Sequence, residues 1–163
     1  MAISERAATE RVRPLTDDDL ERIVAIDRAH SGYSRGAFFE KRFAAAKASP
    51  DDFVHVGVTQ GGSLAGFVMA RILRGEFGRA DAVAALDALG VDIGSRERGI
   101  GQALVAELVR ILGEKNVLSL HSQVEWSNHE LLRFFAGSGF ALAPRLALER
   151  PVAEPLAEPL EDV

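Results

Sequence analysis

The chain has 163 residues, of which 47% are hydrophobic and 26% charged, which is the size and composition of one globular domain. Its net charge of −5 argues against a general nucleic-acid binder, which needs a basic surface to displace counterions. The absence of cysteine excludes a disulfide framework, a thiolate nucleophile and a cysteine metal site. Because no apolar run is long enough for a membrane span, and residues 1–10 lack the apolar core of a signal peptide, we expect a cytoplasmic protein with no membrane or metal partner.

Two helices and three strands are predicted in the first half of the chain. In chain order they are a strand over 11–15, helices over 17–29 and 35–47, and strands over 53–59 and 64–73. Thr16 and Asp19 resemble a capping box at the start of the first helix. Gly61-Gly62 predicts a tight turn between the last two strands.

The second half alternates strands and helices. The predicted elements are a strand over 82–91, a helix over 100–112, a strand over 117–124, a helix opened by a second capping box at 127–130, and strands over 140–143 and 146–148. This order favours a mostly antiparallel sheet with one parallel crossover around the third helix. We predict one domain over 11–151, a flexible N-terminal arm over 1–10, and a disordered acidic tail over 152–163.

A glycine-rich turn lies between the fourth predicted strand and the third helix. It reads Arg96-Glu97-Arg98-Gly99-Ile100-Gly101. Glycine lets the backbone approach a ligand closely, and the N–H groups at a helix start favour anions, so a pyrophosphate would fit here. A plain helix start explains the same glycines. A P-loop is excluded because Gly101 is not followed by Lys-Ser or Lys-Thr, and a dinucleotide fold is excluded because the third glycine and an early βαβ unit are missing.

The turn resembles the acyl-CoA loop of the GNAT superfamily of N-acetyltransferases, Arg/Gln-x-x-Gly-x-Gly/Ala after the fourth strand. A second family pattern is matched by Asn128, Phe135, Gly139 and Phe140, and the opening residues 13–20 are also typical. The resemblance covers about residues 10–151. It implies an α/β (α+β) GNAT fold, in which a mixed, mostly antiparallel sheet of six to seven strands is flanked by about four helices and strands four and five splay apart.

The resemblance also implies that acetyl-CoA binds in the splayed cleft. Pantetheine would pair with the backbone of Leu89, Gly90 and Val91, where an N–H would also stabilise the oxyanion. The remaining cofactor contacts implied are Arg96, Arg98, Gly99, Ile100, Gly101, Gln102, Ala103, Asn128 and Phe135. Gly90 would leave room at the splay, although a glycine at the end of a strand is also explained by a bulge.

The general base is not carried over from the family. The position of the glutamate base in histone-acetylating relatives is Ala85, and that of the acid in ribosomal-protein-acetylating relatives is Gln123. Asp87 is the preferred candidate, because burial in an apolar strand would raise the pKa of its carboxyl group, and a general base needs a raised pKa. A hydrogen-bonded structural role is the alternative. His121 is the second candidate, although a strand histidine is also explained by packing, and Glu125 lies nearby.

Two family positions leave the activity open. Many relatives have a tyrosine acid where this chain has Phe135, which cannot protonate the leaving thiolate, so solvent would have to do so. Asn128 is explained equally well by the start of a helix. An N-acetyltransferase acting on a small-molecule or protein amine is therefore weighed against a catalytically silent acyl-CoA-binding module and against a phosphate-binding scaffold unrelated to CoA.

The resemblance further implies that the acceptor site is framed by the first two helices and the loop after the third strand. These segments supply Tyr33, Arg35, Phe38 and Glu76. Phenylalanines suit an apolar amine and Glu76 suits a cationic one, such as a lysine side chain or a protein N-terminus. The alternatives are that the phenylalanines belong to the core and that Arg35 is a surface charge. A homodimer is compatible with the sequence, which does not determine the oligomeric state.

Overall fold

The computed structural model describes residues 10–96 and 98–153. Most of the predicted N-terminal arm, Glu97 and the tail from residue 154 therefore lie outside the described residues. The strands are β1 (Arg11–Pro14), β2 (Phe53–Gln60), β3 (Ser63–Leu73), β4 (Val83–Val91) and β5 (Leu120–His121), and the helices are α1 (Leu20–Ser31), α2 (Gly36–Ala48), α3 (Ile100–Glu114) and α4 (His129–Gly137).

The five strands form one sheet in the order β1-β2-β3-β4-β5. The first three pairings are antiparallel, and β4 pairs with β5 in parallel. The parallel pairing follows from the crossover through α3, because strands that run in the same direction need a long connection. The mixed sheet and the four helices confirm the predicted fold class.

Helices cover both faces of the sheet and bury a separate apolar layer on each. The layer against α3 contains Val54, Val56, Val58, Val68, Ala70, Ile72, Leu104, Leu108 and Leu112. The layer against α1 and α2 contains Ile23, Ile26, Phe39, Phe43, Phe67 and Met69. Full burial of a valine, leucine, isoleucine, phenylalanine or methionine side chain in these layers contributes about 1.5–3 kcal/mol. Alternation along β3 lets this one strand supply both layers, with Val68 on the α3 side and Phe67 and Met69 on the other.

The predicted number of strands was too high: the described residues contain five. The predicted strand over 117–124 is reduced to Leu120–His121, because β5 diverges from β4 after two paired positions. The predicted strands over 140–143 and 146–148 form no pairing in the described part of the chain. Pro144 lacks an N–H, and the chain bends around it, with the N–H of Arg145 donating to the carbonyl of Ala143 at 2.8 Å.

The capping box before α1 is present as predicted. The carboxylate of Asp19 accepts from the Thr16 N–H at 2.8 Å and binds both terminal nitrogens of Arg13 at 2.7 Å. These bonds begin the helical region with a short 3-10 turn (Asp17–Asp19) and tie it to β1. None of the helices in the described residues has both the length and the apolar character that crossing a bilayer requires.

Candidate active site

A cleft opens beside β4 where β5 diverges from it. The two strands pair at Ala84 with Leu120 and at Ala85 with His121. Beyond Ala85, β4 continues to Val91 with β3 on one side and, within the described residues, no strand on the other. Backbone groups on this edge of β4 are therefore open to an extended ligand. Leu89, Gly90 and Val91 all lie on this unpaired stretch.

A β-bulge in β4 changes which way Asp87 points. Met69 pairs with Ala88, whereas the next residue of β3, Ala70, pairs with Leu86, so Asp87 is the extra residue. Leu86 and Leu89 both pack on the α3 layer. Asp87 faces α1 and α2 instead. In a regular strand Asp87 and Leu89 would lie on the same side, and the bulge places them on opposite sides.

Two arginines hold the carboxylate of Asp87. Its Oδ1 accepts from Arg71 Nε at 2.8 Å, and its Oδ2 lies 3.1 Å from Arg42 Nε. The Asp87 side chain is only 6% exposed, so the carboxylate end of both ion pairs is shielded from water, whereas the arginines are partly exposed. Because each carboxylate oxygen already faces a guanidinium, an incoming amine would have to compete with these two cations for Asp87.

His121 lies on the same face as Asp87. Its neighbour Leu120 packs on the α3 layer, so alternation along β5 turns His121 toward the opposite face. Burial lowers the pKa of His121 below its ordinary value of 6.5, and the positive charges of Arg145 and Arg79 lower it further. Ser119 Oγ lies 2.8 Å from its Nε2, which holds the ring in place. The ring is therefore neutral at neutral pH and able to accept a proton.

The glycine-rich turn leads into α3 and leaves open space beside Gly99. Gly99 adopts φ +75°, and an added Cβ there would meet no atom within 4 Å. The N–H of Ala103 donates to the Gly99 carbonyl at 3.0 Å. Ile100 contributes its backbone, since its side chain is buried, whereas Gln102 and Ala103 are exposed. The first turn of any helix leaves N–H groups without intrahelical acceptors, and the space beside Gly99 is open, so the start of α3 can hold a phosphate.

Two glycines of the predicted site have packing explanations. A Cβ on Gly101 would lie 2.8 Å from the ring of Phe134, so the absent side chain lets α4 approach α3. A Cβ on Gly90 would lie 2.7 Å from the Phe67 ring and 3.1 Å from Ile26. The space at Gly90 is thus filled by the core.

Arg96 contacts a residue that the sequence did not indicate. Its guanidinium lies against Nδ1 of His30 at the end of α1, and His30 Nε2 lies 2.6 Å from the carbonyl oxygen of Val91. A proton on Nε2 satisfies both contacts, since the ring then donates to Val91 and accepts from Arg96. This chain of contacts joins α1, the end of β4 and the glycine-rich turn. Arg98 is exposed on the same turn.

Asn128 and Phe135 have structural roles in α4. Asn128 is the N-cap, and its Oδ1 accepts from the Leu131 N–H at 3.2 Å. The predicted cap, Ser127, lies one residue earlier. Phe135 is buried, and its ring centre lies 4.7 Å from that of Phe140.

The predicted acceptor residues are divided between the surface and the core. Tyr33 is 62% exposed in the α1–α2 loop, and Glu76 is exposed in the β3–β4 loop. Arg35 is engaged: it forms an ion pair through two nitrogens with buried Asp27 and lies over the ring of Phe38 at 5.3 Å. Phe38 itself packs against the α1–α2 layer.

Comparisons with known proteins agree with this architecture. The sequence profile of the acetyltransferase (GNAT) family matches residues 18–140. An aminoglycoside N-acetyltransferase solved in complex with CoA has a TM-score of 0.75 and 18% identity, over 92% of this chain and 99% of that one. A glucosamine-6-phosphate N-acetyltransferase from Arabidopsis thaliana has a TM-score of 0.68 and 17% identity, over 88% of this chain and 99% of that one.

A transcriptional regulator from Bacillus halodurans C-125 is as similar in fold, with a TM-score of 0.75 and 17% identity over 88% of this chain and 99% of that one. At such identities these likenesses show the fold alone. A comparison with curated proteins by sequence finds no match.

Proposed function

Because the chain belongs to the acetyltransferase (GNAT) family, we propose that it transfers an acetyl group from acetyl-CoA to a primary amine of a small molecule or a protein. The observation that carries this proposal is the edge of β4 that pairs with no strand among the described residues and ends at Val91, close to Gly101 at the N-terminus of α3. An extended pantetheine and a pyrophosphate would occupy these two places in one continuous path.

The carrier would be held mostly by backbone groups. The unpaired edge from Leu89 to Val91 would pair with pantetheine, apart from the Val91 carbonyl, which already faces His30. The first turn of α3 beyond Gly99 would bind the pyrophosphate. Arg96 and Arg98 would add positive charge to the same end. Arg96 is already oriented by His30, so His30 joins the proposed site as a positioning residue.

The amine would approach on the α1–α2 face of the sheet. Its nitrogen attacks the thioester carbon, the C–S bond breaks, the electron pair leaves on the CoA sulfur, and the ammonium proton passes to a base. Of the two candidates on this face, we favour His121, because its ring is neutral near pH 7 and Asp87 is held by two guanidinium groups. Asp87 would then orient Arg42 and Arg71.

The proposal that the acceptor is a primary amine rests on the substrates named for similar folds and on the exposed polar side chains of this face. Similar folds include enzymes whose names specify aminoglycosides and glucosamine-6-phosphate, both of which carry primary amines. Tyr33 and Glu76, exposed at the two loops of this face, would meet a polar or cationic molecule.

A silent acyl-CoA-binding module is the second candidate. It is favoured by Phe135, which is buried among aromatic rings and has no proton to give the thiolate. In that case CoA binding would survive without turnover.

The test is calorimetric titration with acetyl-CoA followed by thiol release over a panel of amines. We expect micromolar binding and turnover with at least one primary amine, and Gly99→Asp should abolish binding by placing a carboxylate beside the pyrophosphate. Arg110→Gln, on the exposed side of α3, is the matched control and should bind normally. Binding without turnover on any amine supports the silent module, and failure to bind any CoA ester would reject both functions.

A further inference from the structure

One row of side chains crosses the sheet on its α1–α2 face. The register places Arg71 of β3 beside Ala85 of β4, and Ala85 beside His121 of β5. The preceding residues of the two longer strands, Ala70 and Ala84, pack on the α3 layer. Alternation therefore turns Arg71 and Ala85 to the α1–α2 face, where His121 also lies.

The row has a cation at one end and the favoured base at the other. Between them Ala85 contributes only a methyl group. The backbones of β3 and β5 are two strand spacings apart, which is about 10 Å. A small molecule that lies over Ala85 would therefore meet His121 with one end and Arg71 with the other.

Arg42 and Arg71, which we name the arginine pair, carry more charge than the acid between them neutralises. Both guanidinium groups face the single carboxylate of Asp87, which leaves one positive charge uncompensated. Arg71 donates to Asp87 through Nε, whereas Arg42 Nε lies 3.1 Å from Oδ2 without forming a hydrogen bond. Among the described residues, no hydrogen bond engages the terminal nitrogens of either arginine. The arginine pair therefore has donors left for a further anion.

A cavity of about 420 Å³ gives a ligand access to the arginine pair. It lies between α2 and the sheet, and both arginines line it together with Phe53. Asp52, an acid in its wall, forms an ion pair with Arg74 and so adds no net negative charge. The side chains of Arg42 and Arg71 are only 26% and 39% exposed. An anion bound here would be partly shielded from water, where charge-assisted hydrogen bonds are stronger.

Two more arginines act on the other end of the row. Arg79 in the β3–β4 loop and Arg145 after α4 both lower the pKa of His121 through their positive charges. An acceptor with only positive charge would be repelled by these residues and by the arginine pair. An acceptor that also carries a negative charge would be attracted to the same face.

We propose that the acceptor is a small amine that also carries an anionic group, a carboxylate or a phosphate, which Arg42 and Arg71 bind while the amine lies at His121. This inference rests on the proposed function, because it names the class of acceptor for the same transfer. The planar guanidinium fork binds either anion through paired N–H groups. The anionic group takes no part in bond making and orients the amine toward the thioester.

The first test compares matched amines on the unaltered protein. The members of each pair differ only in the anionic group: phenylalanine and phenethylamine, phosphoethanolamine and ethanolamine, glucosamine-6-phosphate and glucosamine. Calorimetry is done with CoA present, which has no acetyl group to transfer and fills the proposed pyrophosphate site. We expect the anionic member of at least one pair to bind at least tenfold more tightly than its partner. Equal affinities, or no binding, in all three pairs would overturn the proposal.

The second test locates the anion at the arginine pair. Arg71→Gln and Arg42→Gln should each reduce the preference for the anionic amine at least tenfold, because each removes one guanidinium fork. Arg110→Gln makes the same change of charge on the exposed side of α3 and should retain the preference. A preference that persists in both cavity variants would show that the anion binds elsewhere, and the proposal would be wrong. The comparison of amines on the unaltered protein does not require any variant to fold.

Turnover with acetyl-CoA separates this inference from the proposed function. Preferred binding of anionic amines without acetylation of any amine would support the anion site and reject acyl transfer. Acetylation with equal kcat/KM for the two members of every pair would support acyl transfer and reject the anion site.

Discussion

At the scale of single residues, two titratable side chains of the sheet illustrate how neighbours determine chemistry. Asp87 is a lone acid in an apolar strand, which is the pattern of a base, but Arg42 and Arg71 occupy its oxygens. His121 is an ordinary strand histidine by pattern, yet burial and two nearby arginines lower its pKa. Residue type alone therefore favours Asp87 as the base, whereas the surroundings of the two side chains favour His121.

His121→Gln should lower kcat/KM by about a hundredfold and remove the acidic limb of the pH–rate profile, since the base is then missing. In the wild type this limb should lie below pH 6.5, because the pKa is lowered and activity falls as the pH drops through it. The measurement is kcat/KM from pH 5 to 9 with a responsive amine.

The matched control for His121 is His129→Gln at the exposed start of α4, which should leave the profile unchanged. Should Asp87→Asn remove the limb while His121→Gln retains it, Asp87 would be the base.

At the scale of elements, α4 shows how one residue can satisfy a family pattern and a local need together. Asn128 matches the family position for a cofactor contact, and its side chain caps the helix. Phe134 of the same helix lies against Gly101, so the position of α4 is linked to the start of α3. A change at the cap that moves α4 would therefore also move the start of α3.

Asn128→Ala should destabilise the protein by about 1 kcal/mol, because the Leu131 N–H loses its acceptor. Asn128→Ser restores a capping oxygen and should recover most of that loss. Urea unfolding measures the stability of both variants, and calorimetry measures their affinity for acetyl-CoA.

If the cap is the whole role of Asn128, the Ser variant binds acetyl-CoA as tightly as the wild type. A tenfold loss of affinity in the stable Ser variant would instead establish a direct contact with the cofactor.

At the scale of the whole molecule, the α1–α2 layer encloses a charge-sensitive group. His55 of β2 lies between the rings of Phe43 and Phe53, with ring centres 5.6 and 5.8 Å away. Burial lowers its pKa to about 4, and the Asp87 carboxylate offsets only part of this effect. The fold therefore keeps His55 neutral over most of the pH range.

Acid should destabilise the fold through His55. An unfolded chain takes up a proton near pH 6.5, whereas the folded chain takes it up only near pH 4, so stability is complete above pH 6.5 and is lost as the pH falls toward 4. After allowance for partial solvent screening, we expect the free energy of unfolding to fall by about 2 kcal/mol over this range.

His55→Leu should flatten the dependence of the unfolding free energy on pH, and His129→Leu, which alters an exposed histidine, should not. Urea unfolding at pH 7, 5.5 and 4.5 makes the comparison. Equal slopes for the wild type and His55→Leu would contradict the assignment.

The sequence alone determined the helices, the first four strands, the Thr16–Asp19 box and the glycine-rich turn before α3. These depend on periodicity, capping and backbone freedom, which are properties of neighbours along the chain. Only the tertiary structure decided the two-residue length of β5, the bulge that turns Asp87 away from Leu89, and the contact of His30 with Arg96. Each of these depends on how residues distant along the chain pack against one another, and a local pattern contains no information about such partners.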